Sequence, residues 1–193
     1  MFERCCPCLT LEFFQRYFDV TTEDIKKRLL TSLLPCSRSF YAMYKEKPDL
    51  YGPFWIYTTL VIVLAVAGNL SRLLQSGSAA FTYNFHFIPV AFAVIFGAGL
   101  GLPFALKLLM KFMGAAFFSG TFMEILGIYG YSFTSFLVTA LVCAVPVSGL
   151  QWAFVAYAAV TSTGFLVTAL WSDLQQALEP KRRLAVITFI CAA

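Results

Sequence analysis

The hydrophobic pattern of the chain centres on one long stretch that lacks ionisable side chains. Residues 125–172 contain no Asp, Glu, Lys, Arg or His. A single helix of this length would measure roughly 72 Å, more than twice the roughly 30 Å hydrocarbon core of a bilayer. Its middle holds Pro146-Val147-Ser148-Gly149, and Pro and Gly interrupt helices. The stretch therefore predicts a hairpin of two membrane-spanning helices.

Other apolar runs extend this pattern over most of the chain. Full spans are expected at about residues 54–74, 87–110, 121–145 and 150–171. A fifth apolar run, residues 184–193, would form a helix only about 15 Å long, half of a bilayer. The predicted fold is an all-α, polytopic membrane protein with four full transmembrane helices and a truncated fifth. Residues 51–193 form its membrane domain.

Residues 1–50 have a different pattern and predict a cytosolic N-terminal region. Apolar side chains recur there on one helix face: Ile25, Leu29, Leu30 and Leu33. Basic side chains fall on the other side: Lys26, Lys27 and Arg28. Thr21 and Asp24 are spaced for an N-cap, and Pro35 ends the pattern. The segment is either an amphipathic helix, lying on the membrane or docked on the spans, or a solvated helix.

The charges of the loops orient the spans. With the N-terminal region in the cytosol, the lumenal loops contain a single basic residue, Arg72. The short cytosolic loops then contain five: Lys107, Lys111, Lys181, Arg182 and Arg183. Cytosolic loops of membrane proteins are enriched in Lys and Arg. This distribution favours a cytosolic N-terminus.

Composition supports a membrane protein and argues against several function classes. Hydrophobic residues make up 60% of the chain and charged residues 12%, about half the share usual in soluble domains. The only histidine is His86, so any His-dependent catalytic pair would have to use it. Phosphate-binding loops, metal-ligand clusters and a basic patch of nucleic-acid scale are all lacking. We expect no enzymatic activity, no metal or cofactor and no nucleic-acid partner.

Cysteines near the N-terminus and one acid near a span start each have two interpretations. Cys5, Cys6 and Cys8 are either palmitoylation sites beside the membrane or unmodified cytosolic thiols. Glu124 is either a functional intramembrane acid or a carboxylate at a helix start, where the helix dipole favours it. The sequence alone leaves both alternatives open.

Small and amide side chains in the first two spans also have structural and functional interpretations. Gly97 and Gly101 form a GxxxG pattern that either allows close helix packing or occurs by chance. Asn69 begins an N-glycosylation sequon, which we expect to be unused because it abuts a helix end.

Two short motifs stand at the starts of the first and third spans: Asp49-Leu50-Tyr51-Gly52-Pro53, and Gly127 with Tyr129-Gly130-Tyr131-Ser132 inside EILGIYGYS. Pro53 suits the first turn of a helix and Asp49 can cap that helix. Gly130 allows a neighbouring helix to approach, and the hydroxyls of Tyr129 and Tyr131 can bond across such an interface. Both motifs are therefore either packing devices or partner contacts. Aromatic side chains around the first motif are typical of an interfacial belt: Tyr51, Phe54, Trp55 and Tyr57.

Together with FFQRYFDV at residues 13–20 and Ser32-Leu33-Leu34-Pro35, these motifs resemble the Yip family, the Ypt/Rab-interacting (YIPF-type) membrane proteins. Their order and spacing match over nearly the whole chain from about Leu11. The resemblance implies five transmembrane helices, a cytosolic N-terminus and a lumenal C-terminus. It also implies residence in Golgi, early secretory or endosomal membranes.

The resemblance further implies partners and a process. These are Rab-type small GTPases, other Yip-family proteins in homo- or hetero-oligomers, and vesicle trafficking without enzymatic activity. The chain departs from the family pattern at both ends, because little polar sequence precedes FFQRYFDV and the fifth helix is short. The alternative function is a small membrane transporter or lipid-handling protein, suggested by the glycines of the second span and the uncharged hairpin. A third option is a membrane-shaping protein.

Overall fold

The computed structural model describes residue 15 and residues 17–33, 38–76, 82–114 and 121–192. Gln15, Tyr17 and Phe18 are helical, and eight helices follow them within these ranges, which contain no strands: α1 Thr22–Ser32, α2 Arg38–Glu46, α3 Tyr51–Ser76, α4 Phe87–Phe112, α5 Phe122–Ser132, α6 Thr134–Val142, α7 Ser148–Ala177 and α8 Pro180–Ala192. The predicted all-α fold class is confirmed. Cys5, Cys6 and Cys8 lie outside the described residues, as do Phe13, Phe14 and Arg16 of the FFQRYFDV segment.

Four helical segments are long and apolar enough to cross a membrane: α3, α4, α5 together with α6, and α7. They have 26, 26, 21 and 30 residues, so even the shortest is roughly 31 Å long. Four spans were predicted in these four places. Helix α8 has 13 residues, about 20 Å.

The third span is interrupted at Phe133, between α5 and α6. The N–H of Phe133 donates to the carbonyl of Gly130 at 3.2 Å, a tighter turn than that of an α-helix. Ser132 Oγ donates to the carbonyl of Tyr129 at 2.7 Å, and Thr134 Oγ1 donates to that of Tyr131 at 2.8 Å. These hydroxyls bond carbonyls around the break, which allows it inside an apolar environment.

The hairpin predicted around residues 146–149 connects α6 to α7. Gln151, in the first turn of α7, donates its side-chain amide to the carbonyls of Cys143 and Val145, at 3.0 and 3.1 Å. These carbonyls follow the end of α6 and have no partner in a next helical turn. The Gln151 amide therefore helps to hold the turn of the hairpin together.

Helix α1 begins at the predicted N-cap, where the N–H of Asp24 donates to Thr21 Oγ1 at 3.3 Å. The helix docks on α2 and α5, so the docked alternative of the amphipathic interpretation applies. The predicted placement of Arg28 on the outer, polar face is wrong. Arg28 is 2% exposed, whereas Leu30 is 67% exposed. The pattern of apolar and polar residues predicts an exposed Arg28 because it does not show that a buried carboxylate pairs with this arginine.

The main hydrophobic core joins the short N-terminal helices to the spans. The ring of Phe40, in α2, lies 4.7 Å from that of Phe165 in α7 and 5.4 Å from that of Tyr131 in α5. A second cluster lies farther along the spans: Tyr57, Leu60, Val61, Ile95 and Ala140. Tyr57 was expected in the interfacial belt but is 3% exposed, and its hydroxyl donates to the carbonyl of Gly99 at 3.4 Å. Helices α1 and α2 thus pack at one end of the bundle, called here the α1–α2 end.

Two arginines of α8 bond backbone carbonyls at the ends of other helices. Arg182 donates to the carbonyl of Met113, just after α4, at 2.7 Å. Arg183 donates to the carbonyls of Leu178 and Gln175, at 2.7 and 3.0 Å. Cations at helix C-termini also interact favourably with the helix dipole. The basic segment therefore fixes the end of α7 and the end of α4.

Asn69 closes the connection between α3 and α4. Its amide nitrogen donates to the carbonyls of Ala65 and Asn84, at 3.0 and 3.2 Å, and its oxygen accepts from the N–H of Asn84 at 2.9 Å. The amide that an oligosaccharyltransferase would modify therefore lies within α3, and its hydrogen bonds to the backbone already use it.

We therefore expect Asn69 to remain unglycosylated in microsomes that modify accessible lumenal sequons. Ala80→Asn, which creates a sequon with Thr82 in the same connection, is the matched control and should be modified if this loop is lumenal. Endoglycosidase-sensitive mobility on a gel measures both. A glycan on the native chain that Asn69→Gln removes would contradict the closed geometry.

Candidate functional site: a buried contact between two motifs

Asp49 occupies a buried position where the first motif meets α3. Its side chain is 1% exposed, although it carries a carboxylate. The N–H of Gly52, in the first turn of α3, donates to Asp49 Oδ2 at 2.9 Å. This is the capping role that the sequence predicted for Asp49.

Arg28 is the charge that compensates Asp49. Its guanidinium donates to Asp49 Oδ1, and its other terminal nitrogen donates to the carbonyl of Lys47 at 2.7 Å. The guanidinium also lies over the ring of Tyr44, 5.3 Å from the centroid. A buried ion pair tolerates loss of both partners much better than loss of one. Helix α1 is therefore tied by charge to the start of the first span.

Two tyrosine hydroxyls complete the shell around Asp49. Tyr131 Oη, in α5, lies 3.1 and 3.0 Å from the two carboxylate oxygens. Tyr44 Oη, in α2, donates to the backbone carbonyl of Asp49 at 2.9 Å. Burial, reinforced by the Asp49 charge, raises the pKa of Tyr44 well above its usual range, so this phenol remains a donor. Donors from four helices, α1, α2, α3 and α5, thus converge on one residue.

Three motif glycines allow the backbone approach that this contact requires. A Cβ at Gly130 would overlap Pro53, and a Cβ at Gly52 would overlap the hydroxyl of Tyr131. A Cβ at Gly127 would overlap the hydroxyl of Tyr44 and lie 2.9 Å from the Asp49 carbonyl. Small residues are the usual means of close helix approach in lipid. The structure thus brings the two motifs, 82 residues apart, into direct contact.

Other motif residues lie away from this contact. Tyr51 is 39% exposed, and its ring lies 6.3 Å from that of Phe18 and 6.1 Å from that of Trp55, as expected of an interfacial belt. Leu50 is partly buried and donates its N–H to the carbonyl of Tyr17 at 3.0 Å.

Tyr129 is buried, yet its hydroxyl has no hydrogen-bond partner among the described residues. Contact between motif residues and partner proteins remains a prediction.

Sequence reasoning missed Arg28 and Tyr44 as members of the site. One signal was available for Arg28, which lies between Ile25 and Ser32 at helical spacing and therefore shares their face. Tyr44 bonds the carbonyl of Asp49, only five residues farther along the chain, but no sequence pattern indicated this contact.

The groups around Asp49 form a contact that holds helices together. The Asp49 carboxylate is surrounded by donors and holds no open position, and no cluster of three potential metal ligands occurs in the described part of the chain. Glu124, the other acid considered, accepts from the N–H of Thr121 at 3.3 Å at the start of α5. That geometry is the one expected of a helix-start carboxylate.

Replacing Gly130 by alanine should lower the free energy of unfolding by about 1–3 kcal/mol, because the new methyl group meets Pro53. Gly97→Ala is the matched control, since a Cβ there meets no atom of the described residues within 4 Å. The midpoint of thermal unfolding in detergent measures both variants. Equal midpoints for the two would show that the motifs do not pack this tightly.

Asp49→Asn should cost about 3–5 kcal/mol, because it leaves the Arg28 guanidinium buried without its counter-charge. The double variant Arg28→Met with Asp49→Asn should recover part of that loss. Lys47→Met removes an ion pair with Asp19 whose side chains are 46% and 86% exposed, and should change stability by under about 1 kcal/mol. Comparable losses for Asp49→Asn and Lys47→Met in the same assay would refute the buried pair.

Comparison with known proteins identifies the family. The model of the Yip1 domain matches residues 30–193. The chain is 32% identical to the protein YIPF1 homolog of Dictyostelium discoideum over 181 residues, which are 93% of this chain and 51% of that protein. It is 30% identical to protein YIP5 of Schizosaccharomyces pombe over 82 residues, 42% of this chain and 32% of that protein.

The chain thus spans about half the length of the first relative and about a third of the second. No solved structure shows a significant match. The family is a membrane-trafficking family that is not known for enzymatic activity. The family match confirms the resemblance carried by the two motifs that meet at Asp49. The chain belongs to the Yip1-domain family and is a multi-pass membrane protein.

Proposed function

We propose that this chain is a non-enzymatic membrane factor of vesicle trafficking in the Golgi, the early secretory pathway or endosomes. Its N-terminus is cytosolic, and its cytosolic face binds Rab-type small GTPases and other Yip-family proteins. Family membership supports the trafficking role. The distribution of Lys and Arg supports this orientation, with the α1–α2 end in the cytosol.

The observation that carries the proposal is the tie between α1 and the spans through Arg28 and Asp49. Because this tie fixes one side of α1 on the bundle, the opposite side is presented in a fixed orientation. That side carries Lys26 and Lys27, which are exposed, and Leu30, which is 67% exposed. An apolar side chain flanked by cations on a rigid helix is suited to binding a protein, because little conformational freedom is lost on association.

The test is capture of prenylated Rab-type GTPases by the purified chain in nanodiscs, compared with an unrelated multi-span protein. We expect enrichment by the native chain. We expect at least a tenfold loss on changing Lys26, Lys27 and Leu30 together to Glu, with an unchanged thermal midpoint. Gln75→Glu, an exposed change on α3 far along the chain from α1, is the control and should retain capture.

Enrichment no greater than that of the unrelated protein would contradict GTPase binding. If the triple variant still captures Rab-type GTPases, the binding surface lies elsewhere than on α1. A tagged copy found outside the Golgi, early secretory and endosomal membranes would contradict the proposed location.

A further inference from the structure

A group of basic side chains lies in the last two turns of α4 and the first turn of α8. Its members, called here the basic cluster, are Lys107, Lys111, Lys181, Arg182 and Arg183. All are exposed except Arg183, which is partly buried. In the part of the chain that the structure describes, none of them forms an ion pair with a carboxylate. The connection over residues 115–120 contains no ionisable side chain, so it supplies no counter-charge.

The two arginines hold the parts of the basic cluster together. Arg182 donates to the carbonyl of Met113, two residues beyond Lys111, at 2.7 Å. The chain turns directly after Met113 because Gly114 has a φ of 72°, a conformation that favours glycine. Arg183 donates to two carbonyls at the end of α7. All these acceptors are uncharged, so both guanidinium groups keep their positive charge in fixed positions.

The three lysines of the basic cluster provide hydrogen-bond donors for a ligand. Lys107 and Lys111 are four residues apart and therefore share one face of α4. The ammonium group of Lys107 lies 5.9 Å from the centre of the Phe122 ring, at the start of α5. Each ammonium group has three N–H donors, which suit the oxygens of a phosphate group. The lysines can therefore bind phosphate beside the charges that the arginines hold in place.

Exposed apolar side chains next to the basic cluster indicate that its ligand is a lipid. Phe112, beside Lys111, is 81% exposed, and Leu184, beside Arg183, is 64% exposed. At the end of a span such side chains contact acyl chains, whereas lysines extend from the same level to the headgroups. A ligand with both phosphates and acyl chains contacts both kinds of side chain. A soluble acidic peptide would leave Phe112 and Leu184 without an apolar partner.

We propose that the basic cluster binds the headgroup of a phosphoinositide, an inositol lipid that carries phosphomonoester groups. Each phosphomonoester has a charge of about −1.5 to −2 at pH 7 and three acceptor oxygens. Two of them on one ring match several cations held close together, whereas a phosphatidylserine headgroup has none. Groups of four to eight Lys and Arg beside a membrane span are typical of binding to anionic lipids. This site differs from the outer face of α1 and goes beyond the proposed GTPase binding.

The test uses the full chain in phosphatidylcholine nanodiscs that contain a photoactivatable phosphatidylinositol bisphosphate, and measures cross-linked lipid per protein. Both leaflets of a nanodisc are accessible, so the result does not depend on orientation in the cell. We expect saturable labelling of peptides from the end of α4 and the start of α8. Labelling should fall when NaCl is raised from about 0.1 M to about 1 M, because the Debye length shortens from about 10 Å to about 3 Å.

The triple variant Lys107→Gln, Lys111→Gln and Lys181→Gln should reduce labelling by roughly tenfold or more, because it removes three charges that attract the headgroup. The matched control is Lys26→Gln, Lys27→Gln and Lys47→Gln, which removes three exposed cations from α1 and from the residue after α2. This control should leave labelling unchanged. Thermal unfolding confirms that both variants are folded.

Two competitors identify the ligand on the native chain, without any variant. Unlabelled phosphatidylinositol bisphosphate should compete with labelling, whereas phosphatidylserine at the same concentration should not. Soluble inositol trisphosphate carries the phosphates without acyl chains and should compete much more weakly than the lipid.

Three results would overturn the phosphoinositide site. The first is equal labelling of the two folded triple variants. The second is competition by phosphatidylserine as effective as that by the bisphosphate, which would show general attraction of anionic lipids. The third is equally effective competition by soluble inositol trisphosphate, which would show a site for a free phosphate compound. Each result leaves the GTPase-capture experiment unaffected, because that experiment changes the outer face of α1.

Discussion

Asp49 is a carboxylate buried where four helices meet, and a charge in such a place requires donors on every side. Arg28 supplies the opposite charge from α1, Gly52 a backbone N–H from α3, and Tyr131 a hydroxyl from α5. Tyr44 of α2 bonds the carbonyl of the same residue. Because Arg28 and Tyr131 lie 21 and 82 residues from Asp49 along the chain, satisfying one carboxylate fixes how the N-terminal helices sit on the spans.

The apolar environment explains why the same contact needs glycine. Apolar contact with lipid is as favourable as apolar contact with a neighbouring helix, so spans associate through close packing and hydrogen bonds. Gly130 allows Pro53 to approach, and Gly127 leaves room for the hydroxyl of Tyr44. By contrast, a Cβ at Gly97 or Gly101 would have no described residue within 4 Å. The GxxxG pattern and the motif glycines therefore differ in role although they look alike in sequence.

The features predicted correctly from the sequence are those fixed by neighbouring residues. The spans follow from length and polarity, the hairpin from Pro146 and Gly149, and the start of α1 from Thr21. The burial of Arg28 and Tyr57 was not predicted, because each is compensated by a group 21 or 42 residues away. Both motifs were recognised, but their mutual contact depends on α3 and α5 packing side by side, which no local pattern encodes.

The account rests on direct coupling between Asp49 and Tyr131 across the two motifs. A double-mutant cycle measures it, from the free energies of unfolding in detergent of Asp49→Asn, Tyr131→Phe and the double variant. Once one group has been removed, removal of the other should lower the free energy of unfolding by less. The expected coupling is about 1–3 kcal/mol, as for hydrogen bonds to charged groups. Additive effects, with a coupling indistinguishable from zero, would contradict the junction on which the fold depends.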